Sequence, residues 1–167
     1  VPWTIAPIAL DDADEVARVH VRVWQEAYAG LMSVDYLDSL DPVVFGESWR
    51  ERLLHPWAGA GDWLARDEQG VVGITSSGPA RDADAPAPHE LYAINVLARG
   101  HGSGVANALL ERAVGDRASY LWVLEGNDRA AAFYRRHGFA DDGGRKPEPD
   151  SGLLEFRMSR GPVGGTV

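Results

Sequence analysis

Apolar residues recur along this chain with two different periods, and the change between them is sharpest from residue 91 to residue 114. Leu91-Tyr-Ala-Ile-Asn-Val-Leu97 is a short, β-prone apolar run. Glycines follow at 100, 102 and 104, and then Val105, Ala106, Ala108, Leu109, Leu110, Ala113 and Val114 recur at helical spacing. The pattern predicts strand, glycine loop, helix. The first N–H groups of such a helix have no intrahelical partner and lie at the positive end of its dipole. Glycines without a Cβ let a phosphate come within hydrogen-bonding range of those groups. The stretch reads as a pyrophosphate cradle; a plain tight turn is the alternative.

The same reading runs through the rest of the chain. Trp3 to Leu10 predicts a first strand that Pro7 confines to an edge or cuts short. Asp12 with Glu15 matches an acidic capping box, and Val16, Val19, Val23 and Ala27 line one face of a helix ended by Gly30. A short helix over 33–40 and another over 45–54 follow. Residues 62–66 and 71–76 predict a hairpin around 67–70, and 79–88 a loop. Tyr120-Leu-Trp-Val-Leu124 reads as a buried strand, and Asn127 caps a helix ended by Gly138. Two final strands occupy 139–160. Patterning alone gives an α/β domain with a mixed sheet.

Composition narrows the chemistry. A length of 167 residues suits one domain over 1–160 with a flexible tail over 161–167. The absence of Cys excludes disulfides, thiolate catalysis and cysteine zinc sites, and is compatible with a cytoplasmic home. No His pair with acids at i, i+4 suggests a metal. A net charge of −9 argues against a nucleic-acid binder and suits a cationic acceptor. No run approaches the roughly 18 apolar residues of a membrane span. Val1-Pro-Trp-Thr-Ile5 lacks the basic-then-apolar pattern of a signal peptide.

Two familiar cradles fit poorly. No Lys follows the glycines, so the P-loop is absent. Gly102-Ser-Gly-Val-Ala-Asn107 misses the dinucleotide fingerprint at its last position, although Glu125 lies about 20 residues beyond the loop, where that fingerprint wants an acid. That leaves hydride transfer as a weak alternative, since such a unit usually opens its domain.

The stretch resembles motif A of the GNAT N-acetyltransferase superfamily, whose Q/R-x-x-G-x-G/A loop binds the pyrophosphate of coenzyme A. Two registers fit. Arg99-Gly-His-Gly-Ser-Gly104 has the better first residue; His101-Gly-Ser-Gly-Val-Ala106 better matches its surroundings and is preferred. The preferred register departs from the family at His101 and at Ala98, where the family has Pro. Asn127-Asp-Arg-Ala130 through Tyr134 to Gly138-Phe139 resembles motif B, N-x-x-A-x-x-x-Y-x-x-x-G-F, at every specified position. The element order β-α-α-β-β-β-α-β-α-β-β is also similar to that fold, whose central mixed sheet is splayed and flanked by helices.

The resemblance implies an acetyl-CoA-dependent N-acetyltransferase acting on a primary amine of a small molecule, by direct attack in a ternary complex. A non-catalytic acyl-CoA-binding module is the rival reading, and a protein or peptide amine a lesser one. A homodimer is compatible with it; no nucleic-acid or membrane partner is implied. It implies that the cofactor contacts Asn95, Val96 and Leu97 on the strand, His101, Gly102, Ser103, Gly104, Val105 and Ala106 in the loop, and Asn127 and Tyr134 beyond. Strands 91–97 and 120–124 should part to admit the pantetheine arm, with Ala98 giving none of the block to pairing that Pro would. Tyr134 is expected to donate to the leaving thiolate, or else to be a core tyrosine; Asn127 also reads as a plain cap. Glu90 is expected to take the ammonium proton, with His89 and Tyr92 as rivals, or else to be a solvated strand-end acid. Trp24, Tyr28 and Tyr36 are weak candidates for the acceptor pocket, and His20 reads as packing.

Overall fold

The computed structural model describes residues 2–164, so the last three residues of the expected tail lie outside it. In chain order the elements are β1 (Thr4–Pro7), α1 (Ala13–Ala27), α2 (Val34–Ser39), α3 (Pro42–Leu54), β2 (Gly61–Asp67), β3 (Gly70–Pro79), β4 (His89–Val96), α4 (Val105–Val114), β5 (Ser119–Leu124), α5 (Asp128–Arg136), β6 (Ala140–Pro147) and β7 (Leu154–Arg160). The seven strands make one mixed sheet in the order β1-β2-β3-β4-β5-β7-β6. β4 and β5 alone are parallel, as their connection through α4 requires. β1 lies at the edge, where Pro7 is tolerated. No helix among the described residues is long and apolar enough to cross a membrane.

Helices cover both faces. α1 and α3 pack Val16, Ala17, Val19, Val23 and Trp49 against Leu64 and Ile74. On the other face, Leu110, Ala113 and Val114 of α4 and Tyr134 of α5 meet Leu91, Leu121, Val123 and Met158.

Two local expectations change. Asp12 makes no capping bond to α1: its carboxylate takes the Ala9 N–H (2.9 Å) and an ion pair with Arg66. Glu15 also turns outward, to Arg66 and to the Val71 N–H at 2.7 Å, tying the helix to β3. A cationic side chain and a backbone donor of the sheet outcompete the local box. Further on, α3 begins at Pro42 rather than 45, because the Asp41 carboxylate accepts the Val43 N–H at 2.8 Å and Pro at the first turn needs no donor.

β4 carries an irregularity that decides the site. Ser76 pairs with Ala93 and Ser77 with Leu91, leaving Tyr92 as an extra residue. Leu91, Ile94 and Val96 therefore face α4, whereas Tyr92, Ala93 and Asn95 line a cavity on the α1–α3 face.

α4 sits close to the sheet because β3 has a glycine beneath it. A Cβ on Gly73 would lie 3.0 Å from Leu109, 3.1 Å from Val105 and 3.1 Å from Val96. Gly73→Val is expected to overpack this layer and cost about 1–3 kcal/mol, a fall of several degrees in Tm. An unchanged melting temperature by calorimetry would refute the close packing.

Candidate active site

Pairing between β4 and β5 is confined to their first residues, His89 with Ser119 and Glu90 with Tyr120. Beyond them the strands part, so one edge of residues 91–96 faces a gap. A cleft of about 650 Å³ runs through this gap, from α5 (Asn127, Phe133, Tyr134) to α1 (Val23, Glu26, Ala27), with Ile94 and Val96 on its floor. An edge of unpaired backbone beside an open cleft accepts an extended chain with amides, as an added strand would be accepted.

The cradle closes one end of the cleft. A single turn of tight helix (Ala98–Gly100) leads into Gly102 and Gly104, with φ of 78° and 87°, values that only Gly adopts at low cost. Gly104 is the N-cap of α4, and the first intrahelical bond is Ala108 N–H to Gly104 O at 3.1 Å. The N–H groups of Gly102, Gly104 and Ala106 meet no acceptor among the described residues. Nothing lies within 4 Å of a Cβ built on Gly102. Free donors, a helix N-terminus and open space together suit a pyrophosphate.

The loop's other residues divide by role. His101, Gly102, Gly104 and Ala106 line the cleft, and the His101 ring lies 3.1 Å from the Val96 carbonyl. Ser103 instead braces the turn, its hydroxyl donating to Gly100 O at 2.7 Å. Val105 is core, and Leu97 packs into the α1 layer. Arg99 points away, to Asp67 and the Val71 carbonyl. The expected strand contact of Asn95 is limited to backbone, since its side chain faces the opposite cavity.

Ala98 was expected to leave a pairing-competent N–H where the family has Pro. That N–H is instead taken by the Glu26 carboxylate of α1, at 2.9 Å. Leu97 just before it keeps φ −56° and ψ 148°, the extended conformation that precedes a proline. Glu26 thus occupies the donor that Pro would remove. Trp3 performs a second bracing task, donating from its indole to Ser103 O at 3.2 Å.

On α5, Asn127 accepts the Ala130 N–H at 3.3 Å and also lines the cleft, so capping and lining coincide. The Tyr134 hydroxyl meets no partner among the described residues although the residue is only 8% exposed. Burial holds its phenol well above the ordinary range. Arg129 and Arg136 add positive charge along the same wall. Arg129, Phe133 and Arg136 fall at i, i+4 and i+7 on one face of α5, a signal that motif matching passes over.

The expected proton acceptor is placed differently. Glu90 is 1% exposed and lines neither cavity; it accepts hydrogen bonds from Arg81 N, Nε and Nη2 at 3.1, 3.1 and 2.7 Å, and from Tyr120 Oη at 2.9 Å. Both oxygens are occupied at the root of the gap. Its rivals are engaged as well: His89 Nε2 lies 2.9 Å from Ala113 O, and Tyr92 donates to Pro79 O at 2.6 Å. The aromatic residues Trp24, Tyr28 and Tyr36 cluster with Leu124, the last residue of β5. Burial pushes the Tyr28 phenol up to about 12, with Glu155 and Glu148 adding to the effect.

Glu155, absent from the sequence reading, lies next to this cluster. It pairs with Leu124 on β5 and Lys146 on β6, and is half-buried without a hydrogen bond or ion pair among the described residues. Desolvation raises its carboxyl above the ordinary range, Glu148 and Asp82 adding to this while Lys146 and Arg81 oppose it. Glu155 lies one strand beyond the gap, beside the end of β5, and lines neither cavity.

Comparison with known proteins agrees with this fold. The Acetyltransferase (GNAT) domain family matches residues 60–141. An uncharacterised N-acetyltransferase of Bacillus subtilis is 33% identical over 141 residues, 80% of this chain and 78% of that protein. A "Probable N-acetyltransferase" of Mycobacterium tuberculosis is 29% identical over 79% of this chain and 76% of its own. The crystal structure of PaiA N-acetyltransferase from Thermoplasma acidophilum, in complex with coenzyme A, superposes with a TM-score of 0.73 at 17% identity, covering 96% of this chain and 99% of that one. The chain belongs to the GNAT family of N-acetyltransferases, and so is an acyltransferase that uses acetyl-CoA.

Three binding tests follow from the cradle. Gly104→Asp, which strains a positive φ and sets a charge beside the pyrophosphate, is expected to cost at least about 1–3 kcal/mol of CoA affinity in a folded protein. His101→Ala and Arg99→Ala are both expected to cost less than Gly104→Asp, Arg99 least, since it faces Asp67; a larger loss for Arg99 than for His101 in calorimetry overturns that order. Glu26→Ala is expected to change CoA affinity several-fold in the natural background and hardly at all together with Ala98→Pro, because Pro has no donor to satisfy. Additive effects would mean that the Glu26–Ala98 contact is incidental.

Proposed function

We propose that the chain acetylates the primary amine of a small molecule by direct attack, with cofactor and acceptor bound together. The observation that carries this reading is the Tyr134 hydroxyl: buried, open to the cleft and without a protein partner. Bound acetyl-CoA supplies a thioester carbonyl for the amine to attack and a thiolate to be expelled. Everything else asked of the protein is positioning and proton control.

Tyr134 stays protonated at neutral pH because burial raises its pKa. A thiol ionises near 8.5, so full transfer from a tyrosine of raised pKa runs uphill. Tyr134 therefore acts as a hydrogen-bond donor to the sulfur, and the thiol proton arrives from solvent. The acceptor has the opposite requirement. An alkylammonium ionises near 10.4, so nearly all of it must lose a proton before attack.

Glu90 was the expected base, but its oxygens are occupied by Arg81 and Tyr120, which suits it to holding the root of the gap. Glu155 is the better base. Its carboxylate is unpartnered, desolvation raises its pKa, and its charge acts on Tyr28, which in turn acts on Tyr134. Water bridges the carboxylate to the ammonium. A module that only bound acyl-CoA would need neither group.

Incubation with acetyl-CoA and an amine library, read by mass spectrometry, tests the reading; CoA binding without transfer to any amine would reject it. Tyr134→Phe is expected to lower kcat by roughly 10²-fold with little change in CoA affinity. For Glu155 the active form is the carboxylate, so kcat/KM should rise as pH climbs through its raised pKa. Glu155→Gln should remove that limb, lower kcat/KM at neutral pH by roughly 10²-fold and recover at high pH, where free amine is abundant. A wild-type profile in Glu155→Gln, with the same loss in Glu90→Gln, returns the role to Glu90.

A further inference from the structure

The cleft leaves unexplained a second cavity of about 330 Å³ on the opposite face of β4, between α1, α3 and β3. Its walls are apolar and aromatic: Ile74 from the sheet, Val44, Phe45 and Trp49 from α3, and His20 from α1. The polar groups around it are nearly all spent. Arg52 donates from Nε to both oxygens of Asp62 at 2.9 Å, and the Ser76 hydroxyl donates to Oδ1 of the same carboxylate at 2.6 Å. Arg81 is held by Glu90 and lies 4.0 Å from the Tyr92 ring centre. The Thr75 hydroxyl donates to Ala93 O at 2.9 Å.

Besides Arg52 Nη2, which lies 2.9 Å from Asp62 Oδ1 without an aligned hydrogen bond, two donors are left over. The Asn95 side-chain amide, in a residue only 7% exposed, has no hydrogen-bond partner at Nδ2. A buried amide of this kind is costly unless something completes it. His20 is the second. Trp49 Nε1 donates to its Nδ1 at 3.3 Å, and burial lowers its pKa to about 4, so the neutral ring carries its proton on Nε2.

We propose that this cavity is the specificity pocket for the acceptor, and that it takes the uncharged, ring-sized apolar body of a monoamine bearing an oxygen that accepts from Asn95. The proposal rests on the amine-acetylation reading above and names the acceptor class. Charge decides the class. Both arginines are neutralised by their own carboxylates, so a carboxylate placed here would find no free cation. A second ammonium, as in a polyamine, would find no free anion. Burying either unpaired is far more costly than burying a ring. Volume agrees, since the cavity lies at the small end of the range for small-molecule pockets.

Position supplies the link to the chemistry. Asn95 and Ala93 line the pocket, while Ile94 between them lines the cofactor cleft. A body seated against Asn95 is separated from the cofactor cleft by β4 alone.

The test uses the full chain with 4-methoxyphenethylamine, phenethylamine, spermidine and lysine. kcat/KM for the methoxy amine is expected to exceed that for spermidine and lysine by at least about 10-fold. Asn95→Leu should remove the preference for the methoxy over the unsubstituted ring. Ser48→Trp, which fills the pocket from α3, should raise KM for both aryl amines by about 10-fold or more and leave CoA affinity unchanged. Calorimetry of the same amines with the CoA-loaded protein reads occupancy apart from transfer. Aryl-amine binding that Ser48→Trp abolishes, without transfer to any amine, keeps the pocket and rejects the acetylation reading. Preferred transfer to spermidine or lysine, unaffected by Ser48→Trp, overturns the pocket and keeps the acetylation reading. Aryl amines that neither bind nor react overturn the pocket outright.

Discussion

Two parallel strands that stop pairing after two residues govern everything else in this molecule. A buried, unpaired backbone edge is costly, and native proteins rarely leave one without a partner. Here the cost falls between β4 and β5, beyond Glu90 and Tyr120, in the middle of a seven-stranded sheet. The surrounding structure keeps the gap from closing. Arg81 and Tyr120 lock Glu90 at its root, Glu26 takes the Ala98 N–H at its mouth, and Leu124 is drawn toward the aromatic cluster below α1. The sheet thereby keeps an open edge of the kind that an extended ligand can complete.

The cradle depends on the same gap. α4 must begin where β4 ends, so its free N–H groups point along the cleft that the gap opens. Gly73 lets the helix settle onto β3, and Trp3 ties the loop to the edge strand β1. The cradle and the open strand edge are therefore set by one crossover connection. Arg129 and Arg136 add a local positive wall on a chain of net charge −9. That local field acts within about a Debye length, so it guides the anionic end of the cofactor only near the cleft.

How much of this could be read from residues alone depended on distance along the chain. The strand–loop–helix at 91–114 and the Asn127–Tyr134 helix were legible because periodicity and glycine placement are local properties. The partners of Glu15, Glu26 and Glu90 were not. Arg66 lies 51 residues from Glu15, and Ala98 lies 72 from Glu26, and both bonds exist only once the sheet has formed. Arg81 is merely nine residues from Glu90, yet it sits in a loop with no pattern of its own. Glu155 carried no signal because an isolated acid in a polar strand is ordinary. Its distinction is the lack of a partner, which no sequence displays. The bulge at Tyr92 was hidden for a related reason: apolar residues fill both sides of β4, so a shift in alternation leaves no trace in hydropathy.

That bulge has a consequence for how such an enzyme changes over time. Beyond Tyr92, side chains of one strand line two cavities, Ile94 and Val96 the cleft and Ala93 and Asn95 the pocket on the other face, which on the reading proposed above hold acetyl donor and acceptor. Substitution at the second pair can alter what is acetylated while leaving the acetyl donor's site as it was. Insertion or deletion of one residue would exchange the two sets and ruin both functions together. Selection on this strand therefore tolerates replacement far better than change of length, and new acceptors can arise in single steps on an unaltered donor site.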